Sequence, residues 1–419
     1  MRKVVFYIVF LGFGVYISSA FSEETKEMLT ISGQERLRGD FARNQSLRDF
    51  SLTPGTHDGQ LISRTRAAVS VKPIKPLEVF AQGQFYLREN NYDYSKMNIY
   101  QAYIDFSDRE HLPIGLKIGR QELCYGSTFF LGPNDFYDGL VWDAAKLSVY
   151  PAEKIWLDLI AARYVKLNKH RSDSKPALYG GYGSYELSEA ANIDLYLFYH
   201  HGGFEFFHTD LVYSPRWFTA GTRLAGKFRG FDYEIEPLYQ FGKIDNPDRD
   251  KRDNIGAYGG HVDIGYTFKT MFNPRVFAAY AAGSGDNKTS DKWYREFHGN
   301  IYNDNYLVGD TSLIPDLSGI TSGGARASGM HAFVAGLSLD ILPKLNLNID
   351  NHYFLAGKTP EGTSRDVGDE INLIATYRVF DNLSIVASIN RFFTGNFFKD
   401  ASGSGKDITY FYIQTQIEF

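Results

Sequence analysis

Residues 408–419 read ITYFYIQTQIEF, and this stretch decides the fold. The side chains of Phe411, Ile413, Thr415, Ile417 and Phe419 alternate with Tyr or polar side chains. A period of two places the two sets on opposite faces of a β-strand, as expected for a strand between lipid and a watery interior. A final strand that ends on an aromatic residue is typical of outer-membrane β-barrels. We therefore expect this strand to be recognised by the barrel-assembly machinery.

The same alternation recurs along the chain, for example over residues 78–88 and 345–350, and no helical period is sustained after residue 22. We count about eighteen such segments, with sixteen as the alternative. Short and long connections alternate between them. The pattern predicts an all-β, antiparallel transmembrane barrel with short periplasmic turns and long extracellular loops.

The N-terminus predicts export. Residues 1–3 are a basic head, residues 4–17 are almost wholly apolar, and small residues follow at 18–20. This run is shorter than the ~20 residues of a membrane-spanning helix, so residues 1–22 are interpreted as a signal peptide. Residues 23–419 then form the barrel domain, in the outer membrane of a Gram-negative-type bacterium. One cysteine, Cys124, excludes an internal disulfide.

Charge and composition restrict the partners. The formal charge is −5, and it becomes −7 when Arg2 and Lys3 are removed with the signal peptide. This acidic balance gives no reason to expect nucleic acid. Outer-membrane lipids are the expected surroundings. The charged stretch 245–253 is expected to contact lipopolysaccharide and its divalent cations.

A barrel of this strand number has a water-filled lumen, so the inward faces carry the functional prediction. Basic residues gather on the first strands and on one strand near the C-terminus, and acidic residues lie on strands seven to twelve. The predicted pore-lining residues are Arg36, Arg38, Arg64, Arg66, Arg88, Arg120, Lys146, Arg223, Arg378, Glu234, Glu236 and Asp263. Such an arrangement favours steering of anionic solutes. The alternative is that the charges pair across strands and only solvate the lumen.

Two further features allow more than one interpretation. Aromatic residues on the polar faces could stack on sugar rings or form interface girdles, and girdles are favoured. These residues are Tyr86, Tyr100, Tyr103, Tyr182, Tyr196, Phe198, Tyr410 and Tyr412. The longest connection, residues 285–327, is a candidate gating loop, although loops of this length can also be disordered.

Three motifs resemble those of the alginate export family of outer-membrane barrels. They are GRQELCYG at 119–126, LGP at 131–133 and Trp142-Asp143. The stretch AGTRLAG at 220–226 also fits. The resemblance implies an eighteen-stranded barrel with an arginine-lined pore that passes an anionic polysaccharide. By motif position it places Arg120, and then Arg223, in the pore lining. Cys124 departs from the small or polar residue usual at its position.

The functional expectation is an outer-membrane channel for anionic solutes, with export of a uronic-acid polysaccharide as its specific form. A general diffusion porin with weak selectivity is the alternative within transport. An outer-membrane enzyme or an adhesin is less favoured, because none of the histidines lies in a recognisable nucleophile motif. We expect no catalytic residue, metal or cofactor.

Overall fold

The computed structural model describes residues 28–89, 94–165, 177–188, 190–202, 215–246, 251–288, 291–298 and 305–419. The predicted signal peptide, residues 1–22, lies outside the described residues. Over the described ranges, 18 long antiparallel strands form one closed barrel, as the sequence predicted. Each strand pairs with the next along the chain, which is an up-and-down order.

The barrel strands alternate with connections of very unequal length. Their bounds are β1 Leu29–Gln45, β2 Leu52–Ile74, β3 Leu77–Glu89, β4 Tyr94–Ser107, β5 Ile114–Gln121, β6 Val141–Ala152, β7 Ile155–Val165, β8 Ala177–Ser188, β9 Ala191–His201, β10 Arg216–Phe228, β11 Phe231–Asn246, β12 Lys251–Thr267, β13 Arg275–Gly283, β16 Ala325–Leu342, β17 Leu345–Lys358, β18 Asp366–Phe380, β19 Leu383–Thr394 and β20 Ile408–Glu418. Two short strands, β14 Trp293–Tyr294 and β15 Gly319–Ser322, lie in the connection from β13 to β16. The helix α1 Asn396–Ser402 precedes β20. No helix of the described residues is long and apolar enough to cross a membrane.

The C-terminal strand closes the barrel on the first. Gln34 of β1 lies opposite Glu418 of β20, and the pairing continues to Arg43 opposite Thr409. The backbone of Phe419 completes it, because its N–H donates to the Gly33 carbonyl at 3.0 Å and its own carbonyl accepts from Gly33 at 2.7 Å. The ring of Phe419 covers Gly33, where a Cβ atom would lie 2.3 Å from the ring.

The faces of the wall have the predicted chemistry. Large apolar side chains point outward and are exposed, including Ile104, Ile118, Leu195 and Ile413. Charged and amide side chains point inward, and many of them are buried by chain segments that fold into the lumen. A barrel in water would bury its apolar residues, so this inverted distribution is that of a barrel in lipid.

The predicted alternation of turns and loops is confirmed at the described connections. Pro237 lies within β11, where a proline cannot donate to the ladder and a bulge is the usual accommodation. The β10–β11 register is the same on both sides of Pro237, from Gly221 opposite Leu238 to Leu224 opposite Ile235. The two residue pairs between these positions are not part of the ladder, but the register of the two strands does not change.

Candidate functional site

Five arginines extend into the lumen from the first three strands, and we call them the basic wall: Arg36 and Arg38 on β1, Arg64 and Arg66 on β2, and Arg88 on β3. Arg36 lies directly opposite Arg64 in the β1–β2 ladder. Opposite residues have Cβ atoms about 5 Å apart on the same face of a sheet. Two guanidiniums this close repel, so the pair requires an anion nearby.

The anion comes from the connection between β5 and β6, residues 122–140, which folds into the lumen and is here called the inward loop. Its Asp135 lies 3.0 Å from Arg36 Nη2, 2.7 Å from Arg64 Nη1 and 2.9 Å from Arg66 Nη1. Burial raises the pKa of Asp135, but the three guanidiniums outweigh burial and hold this pKa below its ordinary value. One carboxylate is therefore bound by three cations.

Arg38 holds the inward loop by stacking. Its guanidinium lies between the rings of Phe136 and Tyr412, 3.8 Å and 3.9 Å from their centroids. It also donates to Asp40 and to the Tyr410 hydroxyl, both at 2.6 Å. The side chain is 1% exposed. Arg38 therefore faces the lumen as predicted, but its contacts leave no face for a solute.

Arg66 and Arg88 of the basic wall also contact residues of the wall itself. Arg66 donates to Gln84 at 2.7 Å and lies 3.8 Å from the centroid of the Tyr100 ring. Arg88 donates to Gln60 at 2.5 Å. Guanidiniums held in planar, stacked positions lose little freedom when they bind a carboxylate.

The opposite side of the lumen is acidic, and we call these residues the acidic wall: Asp158 on β7, Asp194 on β9, Glu234 and Glu236 on β11, and Asp263 on β12. Lys146 faces Asp158 at 3.3 Å. Arg223 lies within the acidic wall, with Nη1 2.9 Å from Asp194 and Nη2 2.7 Å from Glu234. The predicted separation of charge across the lumen is therefore present, with Arg223 on the acidic side.

The inward loop crosses the lumen from one wall to the other. At the acidic wall the Tyr125 hydroxyl donates to Asp158 at 2.6 Å. The Phe130 ring stacks on Tyr196 with centroids 5.0 Å apart and planes 10° apart. The loop therefore divides the lumen over its whole width.

Tyr182, Tyr196, Phe198 and Tyr412 contact the inward loop, so the favoured girdle interpretation was wrong for these four residues. Tyr182 and Tyr196 stack at 5.4 Å on the acidic side, and Tyr412 lies beside Phe136 at 6.0 Å on the basic side. Girdle residues would face lipid, whereas these side chains are buried in the lumen.

The long connection between β13 and β16, residues 284–324, also enters the lumen over its described residues, and we call it the long loop. The Tyr306 hydroxyl donates to Asp263 at 2.8 Å, and the Thr311 carbonyl accepts from Gln45 at 2.7 Å. Asp310 accepts from Tyr412 at 3.2 Å. Burial raises the pKa of Asp310, and this effect exceeds the opposing effect of Arg38. Residues 289–290 and 299–304 of this candidate gate lie outside the described residues.

A cavity of about 480 Å³ lies where the two loops meet the acidic wall. Phe129 of the inward loop and Leu307 of the long loop contribute to it, together with Arg223, Glu234 and Arg275. Ser127, Thr128 and Tyr306 of the two loops also line it, and its other lining residues come from the periplasmic halves of β9 to β12. This space is therefore bordered by both loops and by charged side chains of either sign.

Two predicted pore residues lie elsewhere. Arg120 is on the outer face, because it lies two residues from the lipid-facing Ile118 and opposite Asp143, to which it donates at 2.8 Å. Its expected pore-lining position, carried over from the family motif, was wrong, because Gln121 is the inward residue there. Arg378 has the inward register of β18, but it lies exposed at the periplasmic end. The remaining predicted residues line the lumen.

Comparison with known proteins agrees with this architecture. The sequence model of the alginate export family matches residues 28–310. No curated protein sequence matches the chain. Among solved structures, Pseudomonas aeruginosa OccK11 (OpdR) is similar at 15% identity and a TM-score of 0.59, over 93% of this chain and 96% of that one. P. aeruginosa OpdO has 14% identity and a TM-score of 0.60, over 94% and 97%. P. aeruginosa OprD has 15% identity and a TM-score of 0.55, over 93% and 95%.

Proposed function

This chain belongs to the alginate export family and is an outer-membrane β-barrel channel, and we propose that it conducts anionic solutes, with a uronic-acid polysaccharide as its exported cargo. Family and fold point to a channel rather than an enzyme. The anionic preference and the cargo rest on the chemistry of the lumen.

The observation that carries the proposal is the binding of Asp135 by three arginines of the basic wall. A uronate residue presents the same carboxylate group to these side chains. Arginine forks bind carboxylates at two points, which gives orientation as well as affinity. The inward loop therefore supplies an internal stand-in for the solute.

Passage then requires competition between solute and loop. A carboxylate that enters the lumen exchanges with Asp135 for Arg36, Arg64 and Arg66. Displacement of Asp135 loosens the inward loop and widens the path between the walls. The incoming carboxylate carries the same charge as Asp135, so the arginines of the basic wall keep an anion beside them throughout the exchange.

The acidic wall supports a second candidate, a diffusion porin with weak selectivity. Its carboxylates repel anions and attract cations, which opposes the effect of the basic wall. Lys146 and Arg223 compensate part of this charge through their ion pairs. The balance between the walls decides between the two candidates.

Purified protein in a planar bilayer tests the proposal. We expect anion-selective conductance that an oligouronate blocks and a neutral oligosaccharide of equal length does not. Conductance with no ion preference and equal sensitivity to both oligosaccharides would favour the diffusion porin. A barrel without conductance would contradict both candidates.

A further inference from the structure

Three potential metal ligands converge at one point of the acidic wall. Glu236 of β11 lies directly opposite His261 of β12, and Glu234 is two residues away on the same face. His261 Nε2 lies 3.4 Å from Glu234 Oε1 and 3.7 Å from Glu236 Oε2. The three ligand atoms all lie within 4.8 Å of one another. Cross-strand pairing thus assembles one nitrogen and two oxygens.

Two of these atoms are buried without a hydrogen-bond partner. They are Glu236 Oε2 and His261 Nε2, and both side chains are 3% exposed. Buried polar atoms without partners are rare in folded proteins, and each one calls for an explanation. The two atoms lie 3.7 Å apart. A ligand held between them would satisfy both.

Each candidate ligand is oriented by another group. Glu236 Oε1 accepts from the Tyr196 hydroxyl at 2.9 Å. Glu234 Oε2 accepts from Arg223 at 2.7 Å. His261 Nδ1 contacts the Asp263 carboxylate, which leaves Nε2 facing the two glutamates. A histidine oriented by a carboxylate behind it is the usual arrangement in metal sites.

The charge of this region is unbalanced. Asp194, Glu234, Glu236 and Asp263 carry four negative charges, whereas Arg223 pairs directly with three of them and a protonated His261 would supply one further positive charge. Uncompensated charges are costly where water is excluded. A divalent cation would reduce this imbalance.

We propose that Glu234, Glu236 and His261 bind a divalent transition-metal ion of the zinc class. An imidazole with two carboxylates suits Zn²⁺ better than Mg²⁺ or Ca²⁺, which prefer oxygen ligands alone. Three protein ligands leave a position open to the cavity, which Glu234 and His261 also line. The ion would add positive charge to the acidic wall, beside the solute path.

Zinc titration of untagged, chelator-treated protein in detergent tests this site at neutral pH. We expect one Zn²⁺ per barrel by calorimetry, and absorption bands of low-coordinate Co²⁺ with that ion as probe. Glu236→Gln and His261→Gln should each weaken binding by about tenfold or more. Asp263→Asn, which removes only the orienting carboxylate, should weaken binding about 10- to 100-fold.

The control is His331→Gln, because this half-buried histidine of β16 lies apart from the three ligands. It should retain the single site. Heat-modifiable migration in gels verifies that each variant forms the barrel. At the same zinc concentration, zinc should also raise the unfolding temperature of the wild type by more than that of Glu236→Gln.

Absence of a stoichiometric site in the wild type would overturn the proposal, and so would equal affinity in folded His261→Gln. Either result would leave His261 with a structural role only, in contact with Glu234, Glu236 and Asp263. Neither result depends on ion selectivity, so the site and the proposed channel function are tested separately.

Discussion

Arg64 and Asp135 form a two-point ion pair, in which Nη1 lies 2.7 Å from Oδ1 and Nη2 lies 3.1 Å from Oδ2. The pair joins the second strand of the wall to a loop 71 residues later in the chain. Bidentate pairs of this kind, with the guanidinium buried, are stronger than fully exposed ones and specify orientation. The pair therefore fixes where the inward loop crosses the lumen.

Removal of the loop carboxylate should increase anion preference. Asp135→Asn keeps the shape of the side chain, but it leaves Arg36, Arg64 and Arg66 without their shared anion. We expect a larger conductance and a reversal potential shifted toward that of chloride. Asp143→Asn is the matched control, since Asp143 lies on the outer face. An unchanged reversal potential in Asp135→Asn would show that the three arginines are not accessible to ions.

The two lumen loops should respond to pH with opposite sign. The docked inward loop lowers the pKa of Asp135, so its docking is stabilised above the ordinary aspartate pKa of about 3.9 and weakens only as pH falls through the lower docked value. The docked long loop raises the pKa of Asp310. Its docking is therefore favoured at low pH and weakens as pH rises through that raised value.

Single-channel recordings between about pH 4 and pH 8 should reveal the response of the long loop. We expect opening and closing transitions to become more frequent as pH rises. Asp310→Asn, which resembles the protonated carboxyl, should suppress this increase, and Asp135→Asn should leave it in place. Arg38 and Asp350 also act on Asp310, and they remain unchanged in both variants. A pH response that persists in Asp310→Asn would assign it to other groups.

The contact between Phe419 and Gly33 should matter for assembly. Phe419→Ala removes a ring that is 39% exposed, so we expect a loss of about 1–2 kcal/mol, less than for a fully buried phenylalanine. The yield of heat-modifiable barrel in outer membranes should fall. Gly33→Val should have the same direction, because its side chain would overlap the ring. Wild-type yields from Phe419→Ala would refute the predicted role of the C-terminal residue in assembly.

The sequence predicted the strands of the barrel wall better than the loops that fold into the lumen. Side chains alternate between the two faces of a strand, so one lipid-facing residue assigns the face of every other residue in that strand. In β20, Phe411 or Ile413 is enough for this assignment. Arg120 shows the limit of this assignment. Gly119 interrupts the alternation of polar and apolar residues in β5, so the pattern does not show which face Arg120 occupies. A motif position gave no direct information on which face that arginine occupies.

The inward loop could not be placed by periodicity, but its composition carried a signal. Leu123, Phe129, Phe130, Leu131 and Phe136 occur in a connection that was assigned to the extracellular side. A solvated loop rarely carries so many large apolar residues, because burial is what stabilises them. The ion pairs of Asp135 depend on where the loop docks, and this is tertiary information that no local pattern encodes.

The reversal potential of the triple variant Arg36→Gln, Arg64→Gln, Arg66→Gln in a salt gradient tests the central claim most directly. We predict anion selectivity for the wild type, its loss or reversal in the triple variant, and wild-type selectivity for the outer-face control Arg120→Gln. A triple variant that forms the barrel, conducts and keeps the selectivity of the wild type would contradict the proposal that these three arginines select anions.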